Sequence, residues 1–125
     1  KSGISANMRS GVILIQHGKT KVLLTGDIEY PGELELIHNY AGQLDSDVLK
    51  VAHHGSKTST SEEFISKVTP KISIISAGVN NRFGHPHINT LYTLKKFKSD
   101  VYRTDKEGSI LLVSDGVQFK KFEWQ

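Results

Sequence analysis

The sequence predicts an α/β domain built on a mixed sheet, and three observations predict it. Short apolar segments alternate with stripes of helical period along most of the chain, the pattern of strand–helix–strand units. A turn-punctuated pair of apolar segments lies near each end, which predicts a β-hairpin at both ends and makes the sheet mixed. Polar clusters recur where strands are expected to stop: Gly26-Asp27, His53-His54-Gly55-Ser56 and Asn80 through His87. Loops at strand ends are where layered α/β folds build their sites, so the recurrence points to one shared site.

Taken in order, Val12 to Ile15 is expected as a short buried strand. His17-Gly18-Lys19-Thr20 follows as a turn, with Lys21 to Thr25 as the antiparallel return strand. Pro31 suits the first turn of a helix, Glu33 and Glu35 favour its positive end, and Leu34, Ile37, Ala41 and Leu44 keep its stripe to about Gly42. Asp47 to Ala52 is the next strand. Thr60 with Glu63 has capping-box spacing and opens a helix that runs to Val68 and stops before Pro70. Lys71 to Ser76 is a strand, and Ile88, Leu91 and Leu94 place a helix after Pro86. The tail reads as strands at Val101 to Arg103, Ser109 to Val113 and Val117 to Phe122, the last two joined by an Asp115-Gly116 turn. Phe119-Lys120-Lys121-Phe122 alternates as an edge strand does rather than forming a base-stacking platform.

Composition narrows the chemistry. The chain has 125 residues, enough for one domain, and no apolar run near the roughly 18–20 residues of a membrane span. Its zero cysteines exclude disulfides, thiolate nucleophiles and Cys-based zinc sites, so any metal must be held by His, Asp or Glu. A net charge of +3 permits phosphate-bearing partners without requiring them. Gly-x-Ser-x-Gly, Walker and Gly-x-Gly-x-x-Gly motifs are all absent from the sequence.

Asp27 ends an apolar run and has two readings: a carboxylate able to bridge two cations, or a cap for the helix near Pro31. The His53-His54 doublet follows the next strand, and neutral imidazole suits zinc, manganese and iron. Adjacent residues leaving a strand point to different sides, so one ligates while its neighbour faces substrate or orients the site. Ser56 and the hydroxyls through Ser61 fit helix capping, with phosphate oxygens as a second use. In the third cluster Asn81, Arg82 and His85 could position an anionic substrate, against the plainer reading of a surface turn. His17 and His38 read as surface residues.

In this order the motifs resemble the ComEC-type metallo-β-lactamase domain of competence proteins. The resemblance is carried by Ser10 to Leu14 leading to Leu23-Leu24-Thr25-Gly26-Asp27-Ile28-Glu29, by Asp47 through Ser61 around His53-His54-Gly55-Ser56, by Asn81 to Pro86, and by Tyr102 to Gly108. It runs from about Asn7 to the end of the chain. It implies the C-terminal half of a four-layer αββα sandwich with a two-metal hydrolytic site, the cofactors being two divalent ions, zinc or manganese. Asp27 would bridge both metals, His54 would be the late imidazole ligand, and His53 would contact the phosphate or stabilise the transition state. Ser56, Asn81 and His85 would lie on the substrate side.

The family's opening His-x-His-x-Asp-His motif, or its His-x-Asp-x-Asp-His variant, is not in this chain, and no His precedes His17. Residues 1–125 are therefore read as a single partial domain lacking the N-terminal half, and catalysis by this chain alone is an open question. A half-sandwich leaves apolar sheet surface for a companion N-terminal segment or for self-association. The implied function is phosphodiester hydrolysis, a nuclease acting on DNA during uptake. The alternatives are a non-catalytic domain that binds nucleic acid or a partner chain, and a small-molecule phosphodiesterase. The parent could equally be a bacterial inner-membrane protein with this domain facing outward or a free enzyme.

Overall fold

A computed structural model describes residues 11–122; Ser10 of the first motif, and the stretch from Asn7 where the resemblance begins, lie outside the described residues. Strands β1 (Ile13–His17), β2 (Thr20–Leu24), β3 (Val48–Lys50), β4 (Ile72–Ile75) and β5 (Asp100–Arg103) form one five-stranded sheet in sequential order. β1 and β2 are antiparallel and every later neighbour is parallel. The sheet is mixed, as expected. Helices α1 (Tyr30–Tyr40), α2 (Glu62–Val68) and α3 (Ile88–Lys96) fill the three crossovers. Right-handed crossovers that step in one direction put their helices on the same face. The packing agrees: Leu36, Ile37, Phe64, Ile65, Val68 and Leu94 from the helices meet Leu23, Leu49, Val51 and Ile75 from the sheet in one core.

Because strand partners share a face, register identifies the opposite side of the sheet. Ile13 pairs with Leu24 and Ile15 with Val22, and the row continues through Val48, Lys50, Ile72 and Ile74. Most of it is apolar, and it is exposed only at β1: Val48 is 3% exposed, and the C-terminal hairpin meets the row, with Ser114 at Thr20 and Lys121 over Tyr102. The expectation of a buried first strand is corrected here. All five residues of β1 are exposed, Ile13 and Ile15 to 54% and 50%, because this strand lies at the sheet edge with one neighbour among the described residues.

A second correction concerns the C-terminal hairpin. β6 (Leu111–Ser114) and β7 (Phe119–Phe122) form their own two-stranded sheet and do not join the main one. They dock turn to turn against the first hairpin. Lys19 N donates to Gly116 O at 2.6 Å, the Thr20 and Ser114 hydroxyls meet at 2.7 Å, and a Cβ on Gly18 would fall 2.4 Å from Gly116 O. Gly18, at φ +58°, is thus required by both conformation and close approach. A four-residue helix, α4 (Thr104–Glu107), was not foreseen from periodicity because one turn has none.

The cap of α2 also differs from expectation. Ser61, not Thr60, is the N-cap, its hydroxyl accepting from Phe64 N at 3.2 Å. The shift comes from Glu33 of α1, fully buried, whose carboxylate accepts from Thr60 N at 2.5 Å and Ser61 N at 3.0 Å. Burial raises the Glu33 pKa above the usual 4.5, and the two amide bonds only partly offset it. A group that binds its proton more tightly when folded contributes most below pH 4.5, and that contribution is lost as pH rises through the raised value. In urea titrations Glu33→Gln should therefore gain on the wild type as pH rises above the ordinary value of 4.5, because the wild type loses its proton more readily unfolded than folded. Glu33→Ala, which leaves two amides without an acceptor, should cost about 2–4 kcal/mol throughout. A gap that widens in the wild type's favour with rising pH would contradict this reading.

Candidate functional site

The C-terminal ends of β2, β3 and β4 converge on one edge of the sheet, and the polar clusters follow directly from them. After β2, Gly26 (φ +56°) turns the chain and delivers half-buried Asp27. Capping does not explain Asp27, because the N-cap of α1 is Glu29, which makes no side-chain cap bond. After β3 the chain enters a tight turn at Ala52–Gly55 in which His53 (φ 52°), His54 (φ 54°) and Gly55 (φ 81°) are all left-handed. Non-glycine residues held there cost about 1–3 kcal/mol each, and consecutive ones persist only where the surroundings enforce them. His53 N donates to Gly26 O at 2.9 Å, which ties the two strand ends together.

This turn gives the doublet its two directions. His54 Nδ1 lies 2.8 Å from Ser76 O, just past β4. A carbonyl can only accept, so Nδ1 carries the proton and the neutral ring keeps its lone pair on Nε2, free for a ligand. His53 points elsewhere: its Nδ1 faces Glu29 Oε2 at 3.7 Å and is sealed from solvent without a hydrogen-bond partner.

The third cluster closes over the doublet. Gly55 O accepts from His87 N at 2.8 Å and from Thr90 Oγ1 at 3.1 Å, and a Cβ on Gly55 would lie 2.6 Å from Pro86 Cβ. The His85–Pro86 peptide is cis. The His85 ring sits 5.8 Å from the His53 ring and 6.4 Å from that of His54, centroid to centroid. Burial, reinforced by the neighbouring imidazoles of His53, His54 and His87, holds the His85 pKa below its ordinary value. Phe83 stacks on His85 at 5.7 Å, is 68% exposed, and carries the Arg82 guanidinium 5.1 Å from its ring.

Sequence reasoning brought together Asp27, His53, His54 and His85, and all four sit on this edge. Asn81 is present, but its amide serves the turn, donating to Gly78 O and His85 O and accepting from His85 N at 2.9 Å. Ser56 is buried, and its hydroxyl is engaged with that of Thr58 at 2.9 Å. His87 caps α3, its Nδ1 accepting from Asn89 N.

Three contributors were missed. Glu29 approaches His53, and Lys50 is half-buried near Asp27, burial lowering its pKa while the Asp27 charge opposes the shift. Thr104 holds the loop after β4, exchanging hydrogen bonds with Ala77 at 2.9 and 3.1 Å. All three lie inside the motif segments that carry the family resemblance, Glu29 two residues after Asp27, Lys50 just before the His doublet and Thr104 between Tyr102 and Gly108.

The nitrogen and oxygen donors of His54 and Asp27 suit a divalent cation, and the fixed His54 tautomer fits that use. No group of three or more possible ligands occurs among the described residues, whereas catalytic zinc sites take about three protein ligands.

A sequence model of the metallo-beta-lactamase superfamily matches residues 5–79, more than half of the chain. The chain belongs to this superfamily. This metallo-β-lactamase chain is 48% identical over 106 residues to ComE operon protein 3 of Bacillus subtilis, covering 85% of the chain and 14% of that protein. It is 44% identical over 104 residues to Recombination protein 2 of Haemophilus influenzae, covering 83% and 13%. It is 33% identical over 132 aligned positions to Competence protein ComA of Neisseria gonorrhoeae, covering 100% and 19%. The chain thus spans less than a fifth of the length of these relatives, in keeping with the ComEC-type resemblance. No helix among the described residues is long and apolar enough to cross a membrane.

Proposed function

We propose that this chain is the part of a metal-dependent phosphodiesterase that carries Asp27 and the His53-His54 doublet, and that the complete domain hydrolyses DNA during uptake. The single observation that supports it most is the His53-His54 turn. Two histidines held in left-handed backbone have different ring contacts, one fixed with its Nε2 lone pair available, beside an aspartate that caps nothing. His54 Nε2 and Asp27 are the groups that would hold divalent ions, zinc or manganese. Bound there, such ions would polarise the phosphodiester and supply hydroxide near neutral pH. His53 would face the phosphate, and His85 with Arg82 would receive the flanking strand. The competence names of the relatives favour DNA over a smaller phosphodiester.

The experiment is cleavage of single- and double-stranded DNA by a longer protein that supplies a His-x-(His/Asp)-x-Asp-His segment, with manganese or zinc added. Metal-dependent cutting is expected. Its absence, together with unchanged metal content in Asp27→Ala, would favour a binding module.

The exposed apolar side chains of the β1 edge, Ile13 and Ile15, lead us to propose that a companion segment of the same protein covers them, or a second copy when none is present. Sedimentation of this chain at micromolar concentration should then report association. A stable compact monomer would count against it.

A further inference from the structure

The proposed chemistry leaves one ring nitrogen of His53 without a role. Nδ1 is sealed from solvent and lacks a hydrogen-bond partner, yet the side chain as a whole is 26% exposed. The open part of the ring is therefore not the Nδ1 edge. Buried polar atoms without partners are uncommon and call for an explanation. Here the explanation faces it, since Glu29 Oε2 lies 3.7 Å away. That oxygen is already aimed: it accepts from Thr58 Oγ1 at 3.2 Å, and Thr58 is fixed by Tyr30 N donating to its carbonyl at 2.9 Å and by the Ser56 hydroxyl at 2.9 Å. His53 is held on its side by the backbone bond to Gly26 O. Closing the gap to an ordinary hydrogen bond of roughly 2.9 Å needs less than an ångström of side-chain movement.

The two tautomers of His53 differ sharply in this setting. With the proton on Nε2, the Nδ1 lone pair would face a carboxylate oxygen across a dry contact. With the proton on Nδ1, the same contact becomes attractive. We infer that Glu29 is a positioning residue for His53: its carboxylate holds the Nδ1 proton and so presents Nε2, lone pair outward, on the side of the ring open to substrate. There it can accept a proton from water or a hydroxyl beside the phosphate rather than bond a phosphate oxygen. A carboxylate that fixes the tautomer and plane of an imidazole is a general device of hydrolytic sites. It also gives the buried hydroxyl of Ser56 a purpose, at the far end of the chain that steadies Glu29.

The identity of the substrate rests on the function proposed above; the tautomer does not. The test is long-range 1H–15N correlation of the imidazoles in this chain, uniformly labelled, at a pH above the imidazole range. His53 is expected as the Nδ1–H form in the wild type and in Glu29→Gln, whose Oε1 still accepts. Glu29→Ala should return it to the Nε2–H form favoured in water. Thr58→Val, a milder change that releases the Glu29 oxygen, should give a mixture. A wild-type His53 protonated on Nε2 overturns the inference, and so does an Ala variant that keeps Nδ1–H.

In the complete domain, Glu29→Ala should lower kcat on DNA about 100-fold with KM nearly unchanged, and Glu29→Gln should restore most of it. Equal losses in both variants would overturn the positioning role. If the tautomer behaves as expected but no preparation hydrolyses DNA, the inference stands and the hydrolase reading falls.

Discussion

Asp27→Ala in the complete domain is expected to reduce metal-dependent DNA cleavage at least about a thousand-fold, equivalent to roughly 4 kcal/mol of transition-state stabilisation. Asp27 leaves β2 at a glycine turn and caps no helix, so its side chain has no evident structural duty that alanine would abolish. Folding should survive, and circular dichroism should match the wild type. His54→Ala should lose activity comparably, but with some loss of stability, because it also breaks the bond from Nδ1 to Ser76 O that anchors the turn to β4. Metal content measured by elemental analysis separates the two roles. It should fall in both variants and stay unchanged in His85→Ala. Retained cleavage in Asp27→Ala would remove it from the site.

Gly55→Ala should destabilise this domain by about 2–4 kcal/mol. The new Cβ would lie 2.6 Å from Pro86 Cβ and 2.9 Å from Pro86 Cα, and the φ of 81° is strained for any side chain. Pro86 cannot yield alone, because Gly55 O also receives His87 N and Thr90 Oγ1. The loop from Asn81 to His87 would have to lift, carrying His85 away from His53 and His54. Denaturant unfolding reads the first effect. The second appears as a His85 ring resonance that moves toward its ordinary pKa once the burial and neighbouring imidazoles that depress it are lost. Wild-type stability together with an unmoved His85 would mean that the contact relaxes locally.

Much of the fold could be read from local patterns. Pro31, Gly26, the Asp115-Gly116 turn and the alternation of strands with helical stripes each act within a few residues, and the elements they predict are present. The sequence also concentrated the polar side chains at strand ends, which brought Asp27, His53, His54 and His85 into one group before any geometry was known.

What local pattern left undecided was decided by partners distant in the chain. Val12 to Ile15 reads as buried because it is apolar, but burial belongs to the neighbours, and a strand at the sheet edge has one strand neighbour among the described residues. The α2 cap moved from Thr60 to Ser61 because a glutamate 27 residues earlier claimed the Thr60 amide. The last hairpin has the same pattern whether it joins the main sheet or pairs only with itself; the strand pairing, not the local pattern, makes it a separate two-stranded sheet.

The sequence by itself determined which residues carry chemistry and where along the chain the strands would present them, because residue type and turn propensity are local. Only the tertiary structure decided their orientation. The left-handed turn at His53 and His54, the Ser76 carbonyl and the Glu29 carboxylate set which ring nitrogen faces where, and each of those contacts joins segments that only the parallel sheet brings together.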